Sequence, residues 1–173
     1  MERSLDDRLR PLAGPVYCTA WLLILITAMD FALAVWPFQP GAIAWRYGAG
    51  GLLGGYLLSP ILGVAMIALL ARTLDHRRML WTVVALGLVG GLILVITMVA
   101  FPLDAVQLRG RVDEAERWAF DVGVGKALIK HLTGAVALLW LAGGSFRALR
   151  SDPKESVRRQ RGSPLMVGAE PKA

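Results

Sequence analysis

Four long apolar stretches restrict the fold of this chain more than any other feature of its sequence. They run from about Val16 to Trp36, Tyr47 to Ala71, Leu80 to Phe101 and Lys126 to Phe146. A helix needs about 20 apolar residues to cross a hydrocarbon core of about 30 Å, and each stretch has that length. Charged side chains enter them only at Asp30 and at the start of the fourth. The sequence therefore predicts an all-α integral membrane protein with four transmembrane helices.

Composition supports this prediction and argues against several other classes of protein. Apolar residues make up 55% of the 173 residues and charged residues 18%, against roughly 45–50% and 25% in an average soluble domain. The single cysteine, Cys18, excludes a disulfide scaffold. The net charge is +6, but the basic residues lie mainly outside the apolar stretches. That distribution is typical of membrane topology, and we expect no nucleic-acid partner.

The same basic residues predict the orientation of the helices. The two terminal segments and the connection between the second and third stretches carry 13 of the 19 Lys and Arg residues. Cytoplasmic connections are enriched in Lys and Arg, so both termini are expected in the cytoplasm, as an even number of spans requires. The expected location is the bacterial cytoplasmic (inner) membrane. A signal peptide is the alternative for the first stretch, which we interpret as a retained helix.

Two further segments lie outside the predicted spans. The outer connection, Pro102 to Gly125, contains good helix formers from about Arg111 to Phe120, which predicts a short surface helix there. Residues 1–146 are thus expected to form one transmembrane domain. Residues 147–173 are expected to form a basic cytoplasmic tail that is suited to anionic lipid headgroups.

Glycines predict where the helices pack. Small residues let membrane helices approach closely, and a four-residue spacing places two glycines on one helix face. We expect packing faces, within the bundle or with another subunit, at three such pairs: Gly50/Gly54, Gly51/Gly55 and Gly87/Gly91. Pro60 lies near the middle of the second span and predicts a kink, because it cannot donate to the carbonyl of Tyr56.

Three polar residues are expected at similar depth near the outer end of the bundle. Asp30 lies six residues before Trp36, and Lys130 and His131 lie in the first turns of the fourth span. A charge inside a span is costly and usually finds a partner or water. We interpret the three residues as a structural pair that aligns the first and fourth spans. A proton or ion relay is the alternative.

Ala127, His131 and Trp140 follow one another on the fourth span at intervals of four and nine residues. This pattern, within residues 127–140, resembles the pigment-binding helix of light-harvesting antenna polypeptides. Those helices carry alanine four residues before a ligating histidine and often a tryptophan further on. The resemblance implies pigment ligation by His131, although antenna polypeptides have one span rather than four.

No catalytic motif and no paired-cysteine metal motif occurs in the sequence. We therefore expect neither an enzyme nor a metal site, and no cofactor beyond lipid or pigment contact. The function that the sequence favours is an accessory or structural subunit of a larger membrane complex, photosynthetic or respiratory. Its expected partners are membrane lipids and other subunits of a hetero-oligomer. The alternatives are a small transporter that uses Asp30 with Lys130 or His131, and a standalone membrane enzyme or lipid-binding protein.

Overall fold

A computed structural model describes residues 2–150 of the chain, with side chains from Pro11 onward. These residues form five helices and no strand, as the sequence predicts for an all-α protein. The helices are α1 (Glu2–Ala34), α2 (Ile43–Tyr56), α3 (Leu58–Thr73), α4 (Arg77–Arg109) and α5 (Arg117–Arg150). Of the predicted basic tail, residues 147–150 belong to α5, and residues 151–173 lie outside the described part of the chain.

Three to four of these helical segments are long and apolar enough to cross a membrane. Helices α4 and α5 each contain an 18-residue segment that meets this test, and so does Pro11–Ala34 of α1. Helices α2 and α3 meet it only together, as a pair bent by 46°. The apolar helices are compatible with membrane insertion, and the number of spans is four when the bent pair is counted as one.

The bend between α2 and α3 lies where Pro60 predicts a kink. Pro60 has no N–H to donate to the carbonyl of Tyr56, the residue at which α2 ends. Leu57 separates the two helices, and regular bonding resumes with the Ile61 N–H, which donates to the Leu57 carbonyl at 3.2 Å. The proline therefore breaks the span one turn before its own position.

The structure has no separate surface helix near 111–120, where the sequence predicts one: residues 111–116 are not helical and residues 117–120 begin α5. Helix α4 continues through Pro102 to Arg109, and α5 begins at Arg117, so the outer connection is only residues 110–116. A proline removes a single helical hydrogen bond, and this helix tolerates the loss. At the end of α4 the Arg109 guanidinium donates two hydrogen bonds to the Asp121 carboxylate of α5, at 3.0 and 2.7 Å. This ion pair links the two helix ends.

The helices pack as sequential antiparallel neighbours. Helix α4 runs against α5 over most of its length, and α1 packs chiefly on α3. Buried apolar side chains from α3, α4 and α5 form the core, among them Ile67, Val83, Leu94 and Leu138. Within the described residues no Cα atom of α1 lies within 8 Å of a Cα atom of α4 or α5. Only 6% of its apolar segment is buried, against 28% for α4 and 33% for α5, so α1 is the least covered span.

Candidate functional site

The structure does not bring Asp30 together with Lys130 or His131. The predicted pairing requires the first span to pack beside the last, but α1 packs on α3 and α2 instead. Asp30 lies on the exposed side of α1 and has no hydrogen bond or ion pair to any described residue. Lys130 is exposed on α5. Of the three residues, only His131 faces the interior of the bundle.

His131 is completely buried where α2, α4 and α5 meet. Its Nδ1 lies 2.6 Å from the carbonyl oxygen of Ala127, one turn earlier on α5. A carbonyl can only accept, so Nδ1 carries the hydrogen in this contact. The other ring nitrogen, Nε2, is buried and has no hydrogen-bond partner among the described residues.

The surroundings of His131 do not fit a pigment macrocycle. A Cβ placed on Gly54 of α2 would lie 3.4 Å from Cε1 of the ring, and the Phe101 ring of α4 lies 6.0 Å from it between centroids. Nε2 itself is buried, so a tetrapyrrole could bind it only by displacing the side chains that cover it. The resemblance to antenna polypeptides is therefore confined to residue spacing, and His131 fills a contact between helices.

An ion pair that sequence analysis missed lies where the start of α2 meets the end of α4. Arg46 donates from Nε to Asp104 Oδ2 at 3.1 Å and from Nη2 to Asp104 Oδ1 at 2.7 Å. The Arg46 side chain is 39% exposed and the Asp104 side chain only 6%. The sequence places both residues outside the predicted spans, since the second span begins at Tyr47 and the third ends at Phe101. The helical continuation through Pro102 places Asp104 inside the bundle.

Aromatic rings pack directly beneath this ion pair. Tyr47 stacks on Phe101 with ring centroids 5.0 Å apart and on Phe120 at 5.2 Å. Phe101 is 3% exposed, and its ring also lies 6.0 Å from the His131 ring between centroids. Tyr47 thus joins α2 to both α4 and α5, and its ring contributes to packing within the bundle.

Two of the predicted packing glycines lie at the contact between α4 and α5. A Cβ at Gly87 would lie 2.7 Å from the carbonyl oxygen of Leu138, which belongs to a helix backbone and has little freedom to move. A Cβ at Gly91 would lie 2.7 Å from Cδ2 of Leu139, the end of a flexible side chain. Both positions let the helices approach closely, but the Gly87 contact is the less adaptable.

Two further predicted glycines face the interior from α2. A Cβ at Gly50 would lie 2.7 Å from Cδ2 of Phe101, and Gly54 faces His131, as described above. The third predicted pair, Gly51 and Gly55, packs less closely. A Cβ at Gly51 would lie 3.9 Å from the Phe101 ring, and a Cβ at Gly55 would meet nothing within 4 Å. Gly63 of α3, which was not among the predicted pairs, closely approaches the Ala20 carbonyl of α1.

An apolar cleft of about 600 Å³ lies between α1 and α4, with α2 and α3 behind it. Its two walls, α1 and α4, both pack on the bent pair, and their backbones stay apart, with no Cα atoms within 8 Å of each other in the described helices. Ion-pair residues Arg46 and Asp104 line it, as do the rings of Phe31, Trp45 and Phe101. Hydropathy cannot reveal such a cleft, because the side chains that line it are as apolar as those that face lipid.

Comparisons with protein-family models, curated proteins and solved structures each found no match to this chain. Within the described part of the chain, no three His, Cys, Asp or Glu side chains come together as metal ligands. Three local features of the described chain are candidates for a function: the uncovered face of α1, the Arg46–Asp104 ion pair and the cleft.

Proposed function

We propose that this chain is a non-catalytic accessory subunit of a larger membrane complex, and that it docks through the outward face of α1. The observation that carries the proposal is Asp30, which is exposed within an apolar span and unpaired in the described chain. An unpaired carboxylate in hydrocarbon costs several kcal/mol. A Lys or Arg of another subunit at the same depth would remove that cost.

The side chains around Asp30 suit a helix–helix contact. Leu22, Ile26 and Leu33 share its side of α1 at intervals of four, four and three residues and are 50%, 50% and 68% exposed. Residues at these intervals lie along one side of a helix. The result is a continuous apolar strip with one carboxylate near its outer end, which matches a partner helix that carries a single cation.

The proposed host is an energy-transducing complex, photosynthetic or respiratory, in a bacterial cytoplasmic membrane. Small helical subunits without a cofactor of their own are common in such complexes. The transporter alternative needs Asp30 to act with Lys130 or His131. It has less support, because the backbones of α1 and α5 do not come within 8 Å of each other in the described chain. Membrane lipids are the other proposed partners of the uncovered surface.

The proposal predicts that Asp30→Asn releases the subunit from its complex without unfolding it. The amide keeps the shape of the side chain but loses the charge that the partner cation requires. We expect at least a tenfold loss of co-migration with the complex on a native gel after extraction in mild detergent, at unchanged expression. Asp75→Asn is the control, because it removes a carboxylate from the exposed connection between α3 and α4.

A photo-cross-linking residue at Leu33 tests the contact directly. It should cross-link to a neighbouring subunit, whereas the same group at Val99, which is exposed on α4, should not. Equal migration of Asp30→Asn and the wild type, together with no cross-link at Leu33, would exclude docking through α1. An assembled Asp30→Asn variant that loses an ion-linked activity would instead favour the transporter.

Orientation gives a separate prediction. Gln107 is exposed near the outer end of α4, so Gln107→Cys in a Cys18→Ser background should react in intact cells with a maleimide that cannot cross membranes. His76→Cys, at the other end of α4, should react only after permeabilisation. The reverse pattern would contradict the assignment of both termini to the cytoplasm.

A further inference from the structure

We propose that the cleft between α1 and α4 binds a lipid with a planar, carbonyl-bearing ring and a long hydrocarbon tail, the chemistry of an isoprenoid quinone. This site is separate from the docking face around Asp30, which lies on another side of α1. Its volume of about 600 Å³ lies within the roughly 300–1,000 Å³ of typical ligand pockets. The ligand class follows from the shape of the cleft and from the polar groups that line it.

The length of the cleft points to a chain-like ligand. On α4 its lining extends from Leu86 to Asp104, which is about 27 Å at 1.5 Å per residue. That distance approaches the hydrocarbon thickness of about 30 Å and exceeds the depth of one lipid leaflet. The volume spread over this length leaves a narrow channel, suited to a single hydrocarbon chain that extends beyond the bilayer midplane.

The polar groups in the lining call for a ligand with oxygen acceptors and no net charge. Arg46 uses one N–H on Nε, one on Nη1 and one on Nη2 for Asp104 and the Pro40 carbonyl, which leaves two of its five donors free. Asp104 already compensates the charge of Arg46, so the pair attracts a carbonyl oxygen without demanding an anion. Tyr56 also lines the cleft, and its hydroxyl has no hydrogen-bond partner among the described residues.

Aromatic side chains favour a flat ring over a flexible headgroup. Phe31, Trp45, Tyr56 and Phe101 all line the cleft, and the Phe31 and Tyr56 rings meet edge to face with centroids 6.0 Å apart. Trp45 directly precedes Arg46 in the chain, and Phe101 lies one helical turn before Asp104. A planar ring against the partly exposed Phe31, Trp45 and Tyr56 side chains would gain aromatic contacts. Its carbonyl oxygens would accept hydrogen bonds from Arg46 and Tyr56.

Native mass spectrometry of the purified chain in detergent tests this site. A decyl-substituted benzoquinone and a phosphatidylglycerol are added together at equal concentration. We expect a one-to-one adduct with the quinone at concentrations at which the phospholipid adduct is at least tenfold weaker. Ala28→Phe should lower quinone binding at least tenfold, because Ala28 lines the cleft and is exposed on α1, so a ring there fills the cleft without crowding the core.

Two further variants separate this result from a general effect on the protein. Tyr56→Phe keeps the ring and should weaken quinone binding several-fold, whereas Val99→Phe, on α4 but outside the cleft, should leave it unchanged. Equal adducts with both lipids would show a nonselective acyl-chain site and overturn the proposal. So would quinone binding that Ala28→Phe does not change. Neither outcome affects the docking proposal, whose readout is assembly.

Discussion

Arg46→Met is expected to destabilise the folded chain strongly, with a fall in the thermal midpoint on the order of 10 °C. The substitution leaves the Asp104 carboxylate, 6% exposed, without its partner at the outer end of the bundle. Removal of one member of a buried ion pair is strongly destabilising, whereas replacement of both by apolar residues is often nearly neutral. The double variant Arg46→Met/Asp104→Leu should therefore recover most of the lost stability. Thermal unfolding in detergent measures both.

Arg109→Met provides the matched control. Arg109 and Asp121 form a bidentate pair of the same type, but their side chains are 56% and 45% exposed. Exposed ion pairs contribute little to stability, so this substitution should shift the midpoint only slightly. If Arg46→Met and Arg109→Met had equal effects, burial of Asp104 would not be the cause. Failure of the double variant to recover would show that Asp104 contributes to the fold through contacts other than Arg46.

Gly87→Leu is expected to destabilise the contact between α4 and α5. Even the first carbon of the new side chain would lie 2.7 Å from the Leu138 carbonyl oxygen and 2.9 Å from Cβ of Ala142. The two helices must separate to admit it, and overpacking of this kind typically costs about 1–3 kcal/mol. The loss should appear as a lower unfolding free energy in a denaturant titration of the detergent-solubilised protein.

A pair of alanine substitutions isolates packing from helix propensity. Gly87→Ala should destabilise the protein, because the same contact is too short even for a methyl group. Gly143→Ala, on α5 with nothing within 4 Å of a new Cβ, should be neutral or stabilising by about 0.5–1 kcal/mol, since alanine favours helix more than glycine does. Two changes of equal size in the same direction would show that close approach at Gly87 is unimportant.

The positions of the apolar helices were predictable from the sequence. Backbone groups in hydrocarbon must be satisfied within the segment, so a long apolar stretch without charges has few alternatives to helix. The predicted span from Leu80 to Phe101 lies wholly within α4, and the kink expected from Pro60 appears as the break at Leu57. The end of α4 was not predictable, because Pro102 is compatible both with a helix end and with a continued helix.

The candidate sites depended on helix neighbours, which hydropathy does not encode. Asp30 and Lys130 were expected to meet on the basis of similar depth, but depth does not specify which helices are adjacent. The close contact that α1 makes with α3 at Gly63 leaves Asp30 on the outside. Arg46 and Asp104, which are 58 residues apart in the chain, meet only because α2 packs on α4.

The sequence by itself thus determined the all-α class, the approximate spans and the bend in the second, because these depend on local hydrophobicity and on the chemistry of proline. The tertiary structure alone decided which helices touch, and with that the ion pair, the burial of His131 and the cleft. In an apolar environment no hydrophobic drive separates inward from outward faces. The choice of neighbours therefore rests on the fit of side chains such as Gly87 against Leu138, which can be evaluated only when both helices are in place.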